Sequence, residues 1–306
     1  MEKKFHVRPY KKKKLLITGA SGFLGWNLCR IASKTWQVIG IFFRHPLAIK
    51  DVQAIKADLT DLKNFQKRFR EIRPDAVIHS AAASRPDYCE LHPYESKKIN
   101  IHSSLVVADL CAALSIPFVF ISSDLVFDGR NPPYSEKSRV NPVNLYGEQK
   151  IHAEEKILRS YPESTVCRLP LMFGYSGGVN QSFTFKIIRS LREGSRLRLF
   201  TDEFRTPVDA ESAAKGLLLS LEKVKGIIHL GGHKRVSRYE MGLMIQKLLN
   251  ASPSLIEPIS QKDMSMRASR PPDISLDSSK AFSMGYSPLE VEEGIWQMVK
   301  AMKIKV

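Results

Sequence analysis

No run in this 306-residue sequence approaches the roughly 18 consecutive apolar residues that a membrane-crossing helix requires, and the basic N-terminus passes straight into KLLITGASG without the apolar core of a signal peptide. A soluble, cytoplasmic chain with no membrane partner is expected. Cysteine is sparse: Cys29, Cys89, Cys111 and Cys167 form no CxxC pair, which speaks against a zinc site and against a disulfide framework. The eight histidines fall into no HExxH or other ligand spacing, so no metal is expected. Acidic residues are the minority, 31 against 47 Lys and Arg, and the formal net charge is +16. Seven Lys or Arg against Glu2 alone in the first 14 residues supply +6 of that, leaving +10 for the other 292. This distribution describes a solvated basic tail over residues 1–13. With no zinc-finger spacing, RRM signature or alternation of basic and aromatic residues, nucleic acid is not an expected partner.

What is present is a strand and helix alternation, with 43% hydrophobic residues to fill a core. Residues 14–18 read as a short apolar strand, followed at once by TGASGFLG and a helix over about 23–33. Glycines at 19, 22 and 25 let the backbone turn sharply and approach a pyrophosphate, which the helix N-terminus attracts. Gly19, Ser21, Gly22, Phe23, Leu24 and Gly25 are therefore the candidate dinucleotide cradle. A second strand over 37–43 ends at Arg44, where an NAD enzyme would usually carry an acid for the ribose 2′-hydroxyl; arginine suits a 2′-phosphate, so NADP(H) is expected in preference to NAD(H). Asp58, beside Leu59 in ADLTD, is placed to accept from an adenine amino group or to cap a turn. Ala81, Ala82 and Ala83 follow a strand over 76–79, and their small side chains let backbone approach a flat ligand. Asn100 lies early in a helical segment running to about residue 115.

Chemistry concentrates between Ser122 and Lys150. Ser123 follows the buried apolar run 118–121 at a strand's carboxyl end, where open α/β sheets bind ligands. In YGEQK, Tyr146 and Lys150 stand four apart, so a helix over 146–160 puts phenol and ammonium on one face. The adjacent cation is expected to favour the phenolate and bring a group of pKa near 10 into working range. Serine, tyrosine and lysine together make a carbonyl-reducing site.

TGASGFLG, AAAS, Asn100, SSDLVFDG and YGEQK stand in the order of an extended short-chain dehydrogenase/reductase, and the chain resembles that family. SSDLVFDG, PPYSE, NPVNLYG, DEFRTPVDAESAA (202–214) and SRPPDISLDSSKAFSMG (269–285) are similar to its dTDP-4-dehydrorhamnose reductase branch. The resemblance implies that Ser123, Tyr146 and Lys150 act with Asn100 as a supporting fourth member, and that Tyr146 and Lys150 also touch the cofactor. NADPH would deliver hydride to a sugar C4 ketone, Tyr146 would protonate the oxygen and Ser123 would hydrogen-bond it. Ser84, Ser123, Asp124 and Arg205 are implied as substrate contacts, and a nucleotide-linked sugar as the substrate.

Two features depart from that branch. Its members usually read STDYVFDG, and Leu125 stands here in place of the phenol. SRPDYCELHP (84–93), with ISSD, NPPY, NLYG and RYEM, is similar to the regulatory β subunit of methionine adenosyltransferase, which implies a non-catalytic NADP-binding role with a protein partner. A nucleotide-sugar epimerase or dehydratase and a homodimer also fit the wider family.

In the second half, residues 165–170 and 227–230 read as strands, 209–221, 239–249 and 291–302 as helices, and a basic cluster from Lys186 to Arg198 suits a diphosphate. The expected fold is α/β: a doubly wound Rossmann sheet from 14–170 and 208–232, with a smaller discontiguous substrate lobe from 171–207 and 233–306.

Overall fold

The computed structural model describes residues 12–177 and 182–304. Most of the expected basic tail, residues 1–11, lies outside them. Lys12 is described, and its Nζ donates to the carbonyls of Ser33 and Lys34, both at 2.9 Å.

The chain opens β1 (Lys14–Thr18), α1 (Phe23–Ala32), β2 (Gln37–Phe42), β3 (Val52–Lys56), α2 (Leu62–Ile72) and β4 (Ala76–His79). Two short helices follow, α3 (Pro86–Leu91) and α4 (Pro93–Lys97), and then a π-helical turn over Lys98–Ser103 that leads into α5 (Ser104–Leu114). Next come β5 (Phe118–Ser123), α6 (Leu145–Ser160), β6 (Thr165–Leu169), β7 (Met172–Phe173), α7 (Phe183–Arg192), β8 (Leu197–Phe200), β9 (Phe204–Arg205) and β10 (Val208–Asp209). The chain ends with α8 (Ala210–Lys223), β11 (Gly226–His229), β12 (Val236–Ser237), α9 (Arg238–Leu248), β13 (Ile256–Ile259), α10 (Ser279–Ser283) and α11 (Val291–Ala301).

Seven strands form one parallel sheet in the order β11-β6-β5-β4-β1-β2-β3, the doubly wound arrangement with its order reversing beside β1. Helices cover both faces, which is why β1, β4 and β5 are buried along nearly their whole length and carry unbroken apolar runs rather than an alternating pattern. On one side Leu24 and Leu28 of α1 and Ala213 and Leu217 of α8 pack with Leu15, Ile17 and Ile78. On the other, Phe65 and Phe69 of α2, Val107 and Cys111 of α5 and Ile157 of α6 pack with Leu16, Val77 and Phe120. Three of the helices, α2, α6 and α8, start at side-chain caps written into the sequence: Asp61 accepts from Asn64 N, Asn144 from Gly147 N and Asp209 from Ser212 N.

A second core gathers Phe173, Ile187 and Leu191 of α7, Leu199, Met241 and Ile245 of α9, and Ile295 and Met298 of α11. The chain leaves the sheet after β6, builds most of this lobe's α7 and β8, and returns through α8 to add β11 in register beside β6. The basic residues Lys186, Arg189, Arg192, Arg196 and Arg198 all lie on the exposed side of this lobe, and Arg189 is paired with Glu193 at 2.8 Å. Among the described residues no helix is long and apolar enough to cross a membrane.

Candidate active site

The glycine loop is built by contact with the next strand's exit. Gly19 has φ +65°, and a Cβ there would stand 2.7 Å from the backbone of Ala81; a Cβ on Gly25 would stand 2.1 Å from the Gly19 carbonyl oxygen. Neither position tolerates a side chain. At the start of α1, Gly22 offers no side-chain cap and the first turn carries no acid, so its amides and dipole are open to an anion. This cradle fits a dinucleotide pyrophosphate.

Around it, Leu24 and Leu59 are buried in the core, and Phe23 is half-buried at the helix start. Arg44 follows β2 on the surface with its guanidinium 5.8 Å from the Phe43 ring, a position suited to a phosphate. Asp58 spends its Oδ1 on the Thr60 N–H (2.8 Å) and hydroxyl (2.7 Å), closing the turn into α2. Ala81 N donates to Thr18 Oγ1 at 3.3 Å, and Ala82 and Ala83 follow half-buried, with Ser84 exposed beyond them.

Asn100 clamps that alanine loop. Its Oδ1 accepts from Ala83 N at 2.8 Å, while Nδ2 donates to Ala83 O at 3.2 Å and to Gln149 Oε1 at 2.7 Å; Gln149 in turn donates to Ser96 Oγ at 2.8 Å. Asn100 sits within the π-helical turn rather than in regular helix. Behind the loop, His79 links Thr18 Oγ1 (2.8 Å) to Ser104 Oγ (3.0 Å), and burial, with Lys150 nearby, pushes its pKa down to about 3.

Tyr146 and Lys150 lie one turn apart on the buried face of α6. Gly147 between them is required by close approach, since a Cβ would stand 2.2 Å from the Leu125 carbonyl oxygen. Lys150 Nζ donates to Ile121 O at 2.8 Å and lies 4.5 Å from the Phe120 ring centroid and 5.8 Å from that of Tyr146. Ser123 stands at the end of β5 and is fully built into the strand. Its Oγ donates to Asp124 Oδ1 at 3.0 Å and accepts from Leu125 N at 3.2 Å.

The electrostatics differ from the expectation of a cation-stabilised phenolate. Burial pushes the Tyr146 phenol upward, with Cys89 and Asp124 adding to it, and only the Ser123 hydrogen bond pulls down. Burial likewise lowers Lys150 to about 8, against the opposing pull of Glu154. Desolvation of both groups outweighs their proximity.

Two expected substrate contacts point inward. Asp124 and Arg205 are 3% and 4% exposed, and Arg205 Nε lies 3.4 Å from Asp124 Oδ2. Arg205 also donates to Phe204 O (2.6 Å), Pro271 O (3.2 Å) and Glu203 Oε1 (3.2 Å), and Glu203 takes a two-pronged contact from Arg238 at 2.7 and 2.9 Å. Arg205 thus braces the strand end against the second lobe. Sequence reasoning did not single out Gln149, His79, Glu203, Arg238 or Arg270. Arg270 Nε is buried without a hydrogen-bond partner, and its segment lies beside Asp87 and Asn144. For Arg270 the signal was present, an arginine in the SRPPD stretch already noted.

The RmlD substrate binding domain family matches residues 13–304. The chain is 28% identical to methionine adenosyltransferase 2 subunit beta of Danio rerio over 287 residues, covering 91% of this chain and 86% of that one. It is 28% identical to a probable low-salt glycan biosynthesis reductase of Haloferax volcanii, covering 86% and 89%. The crystal structure of a hypothetical dTDP-4-dehydrorhamnose reductase from Sulfolobus tokodaii superposes with a TM-score of 0.81 at 31% identity, covering 91% of this chain and 98% of that one.

Proposed function

The chain belongs to the RmlD substrate-binding domain family, and from that premise we propose that it is an NADPH-dependent reductase of the 4-keto group of a nucleotide-linked deoxysugar. The observation that carries this reading is the meeting of Ser123, Tyr146 and Lys150 at the carboxyl end of β5, beside a glycine cradle that no side chain could share. When bound, the cofactor supplies the hydride. Gly19, Gly22 and Gly25 seat its pyrophosphate against α1, and Arg44 takes the 2′-phosphate that distinguishes NADP from NAD. Tyr146, kept protonated by burial, gives its proton to the ketone oxygen as charge develops there. Asn100 holds the Ala81–Ala83 backbone against the flat ring, and residues 171–207 and 233–306 enclose the sugar nucleotide. Four cysteines, all buried and none bonded to another, suit the reducing cytoplasm.

The test is loss of NADPH absorbance with a dTDP-linked 4-keto-6-deoxy sugar, comparing wild type with Tyr146→Phe. Turnover that falls at least about a hundredfold in the variant is expected for a lost general acid. A second reading, a non-catalytic NADP-binding regulatory subunit, is favoured by the 28% identity to the methionine adenosyltransferase subunit across 91% of the chain. Tight NADPH binding, no turnover and activation of a synthetase would establish it instead.

A further inference from the structure

Thr18, His79, Ser104 and Asn100 are each at most 1% exposed, and one line of hydrogen bonds runs through all of them. The protons in that line can be assigned by counting. Ser104 Oγ lies 2.9 Å from Asn100 O, a carbonyl that can only accept, so the serine proton goes there and Ser104 must accept from His79 Nε2 at 3.0 Å. The imidazole therefore carries its hydrogen on Nε2. Its bare Nδ1 takes the Thr18 hydroxyl proton at 2.8 Å, which leaves the Thr18 oxygen free to accept from Ala81 N at 3.3 Å. In the opposite tautomer the Thr18 proton would have no acceptor among the described residues, and the Ser104 and Asn100 oxygens would meet at 2.9 Å without a hydrogen between them. Burial keeps the ring neutral, its pKa pushed down to about 3, and Lys150, facing it from α6, pushes the same way.

The two ends of this line hold the two ends of one loop. Thr18 takes the N–H of Ala81, while Asn100 takes the N–H of Ala83 at 2.8 Å and donates to its carbonyl at 3.2 Å. The circuit from Ala81 through Thr18, His79, Ser104 and Asn100 to Ala83 thus closes on itself, tying β4 to β1 and to the start of α5. Gly19 follows Thr18 and packs so closely on Ala81 that a Cβ would stand 2.7 Å from it, so the Thr18 hydroxyl sets the glycine loop and the alanine loop together. We propose that His79 is a positioning residue of the cofactor site, whose Nε2–H tautomer locks the alanine loop against the glycine cradle and fixes the surface the dinucleotide meets. It acts through Ala81 and Asn100. An imidazole suits the task because its two nitrogens differ in polarity at a fixed separation. The inference rests on the cofactor part of the reductase reading above.

The experiment is fluorescence titration of the full chain with NADPH, without sugar, for wild type, Thr18→Val, Thr18→Ser, His79→Phe and the double variant of Thr18→Val with His79→Phe. Thr18→Val keeps the shape and removes the hydroxyl, so affinity should fall about tenfold; Thr18→Ser keeps the hydroxyl and should stay within about twofold of wild type. His79→Phe should cost a similar factor, and the double variant should bind no more weakly than His79→Phe alone, because both cut one circuit. Nitrogen NMR of labelled histidine, with His79 assigned by its absence in His79→Phe, should show Nε2 protonated and Nδ1 bare in wild type, unchanged from about pH 8 to pH 5. The opposite tautomer would overturn the proposal, and so would losses that multiply. A Thr18→Val protein that unfolds earlier in urea yet binds NADPH like wild type would overturn it too, since that is the behaviour of a merely structural network. None of these readouts needs turnover. A chain that passes them and reduces no keto-sugar loses the reductase reading alone, whereas one that reduces the sugar with full NADPH affinity in Thr18→Val loses this inference alone. A wild type that binds no NADPH loses both.

Discussion

Asn100 Nδ2 lies 2.7 Å from Gln149 Oε1, so a residue of the π-helical turn and a residue of YGEQK hold each other's amides in the buried centre of the site. The bond joins the alanine loop after β4 to the helix that carries Tyr146 and Lys150.

Replacing Gln149 by leucine should therefore cost about 1–3 kcal/mol of stability, because the Ser96 hydroxyl and the Asn100 amide each lose a buried partner. Urea unfolding of the variant measures it. A stability within about 0.5 kcal/mol of wild type would show that the pair bears little weight.

Arg44→Ala should weaken NADPH about tenfold and leave NADH nearly unchanged, the loss expected for one exposed charge-assisted contact to a 2′-phosphate. Fluorescence titration with both cofactors separates the two. Equal weakening of both would move the phosphate contact elsewhere.

Much of this arrangement could be read directly from the residues. The glycines of TGASGFLG, the apolar run before Ser123 and the four-residue step from Tyr146 to Lys150 are local signals, each fixed by backbone geometry within a few positions. The side-chain network was not legible, because its members are brought together by the fold: Asp124 meets Arg205 across 81 residues, and His79 joins Thr18 to Ser104. The direction of the Tyr146 shift was misjudged for the same reason. Spacing places a cation near the phenol, whereas burial, which governs, is set by every element packed around it.

Glu154 and Arg168 form a two-pronged ion pair, 2.7 Å at its shortest, with side chains 4% and 3% exposed. Glu154→Gln should cost about 3–5 kcal/mol, since it leaves the guanidinium charge uncompensated in the interior. Replacing both by apolar residues of like volume should recover most of that loss in a denaturant titration.

Acid should destabilise the protein earlier than its carboxylates require. Burial lowers His79 and His229 to about 3, against 6.5 unfolded, so the unfolded chain takes up protons first as pH falls. The stability they permit is complete above 6.5 and is lost progressively down to about 3, by about 2 kcal/mol per histidine at pH 5. Asp124 works the other way: raised to about 6, it binds its proton in the folded state first and adds stability between 6 and 3.8. Urea midpoints at pH 7 and pH 5 should show a net loss, smaller in His79→Gln.

Because β11 follows β6 only after the first segment of the second lobe and α8, the sheet cannot be completed until residue 229 has left the ribosome. Until then β6 presents an open parallel edge, a template for pairing with other nascent chains. Synthesis that stalls inside residues 170–225 would release a truncated chain with that edge bare. The order in which this protein is made thus makes the first segment of its second lobe a timing constraint on the sheet, with chaperone demand concentrated in the interval between the two strands.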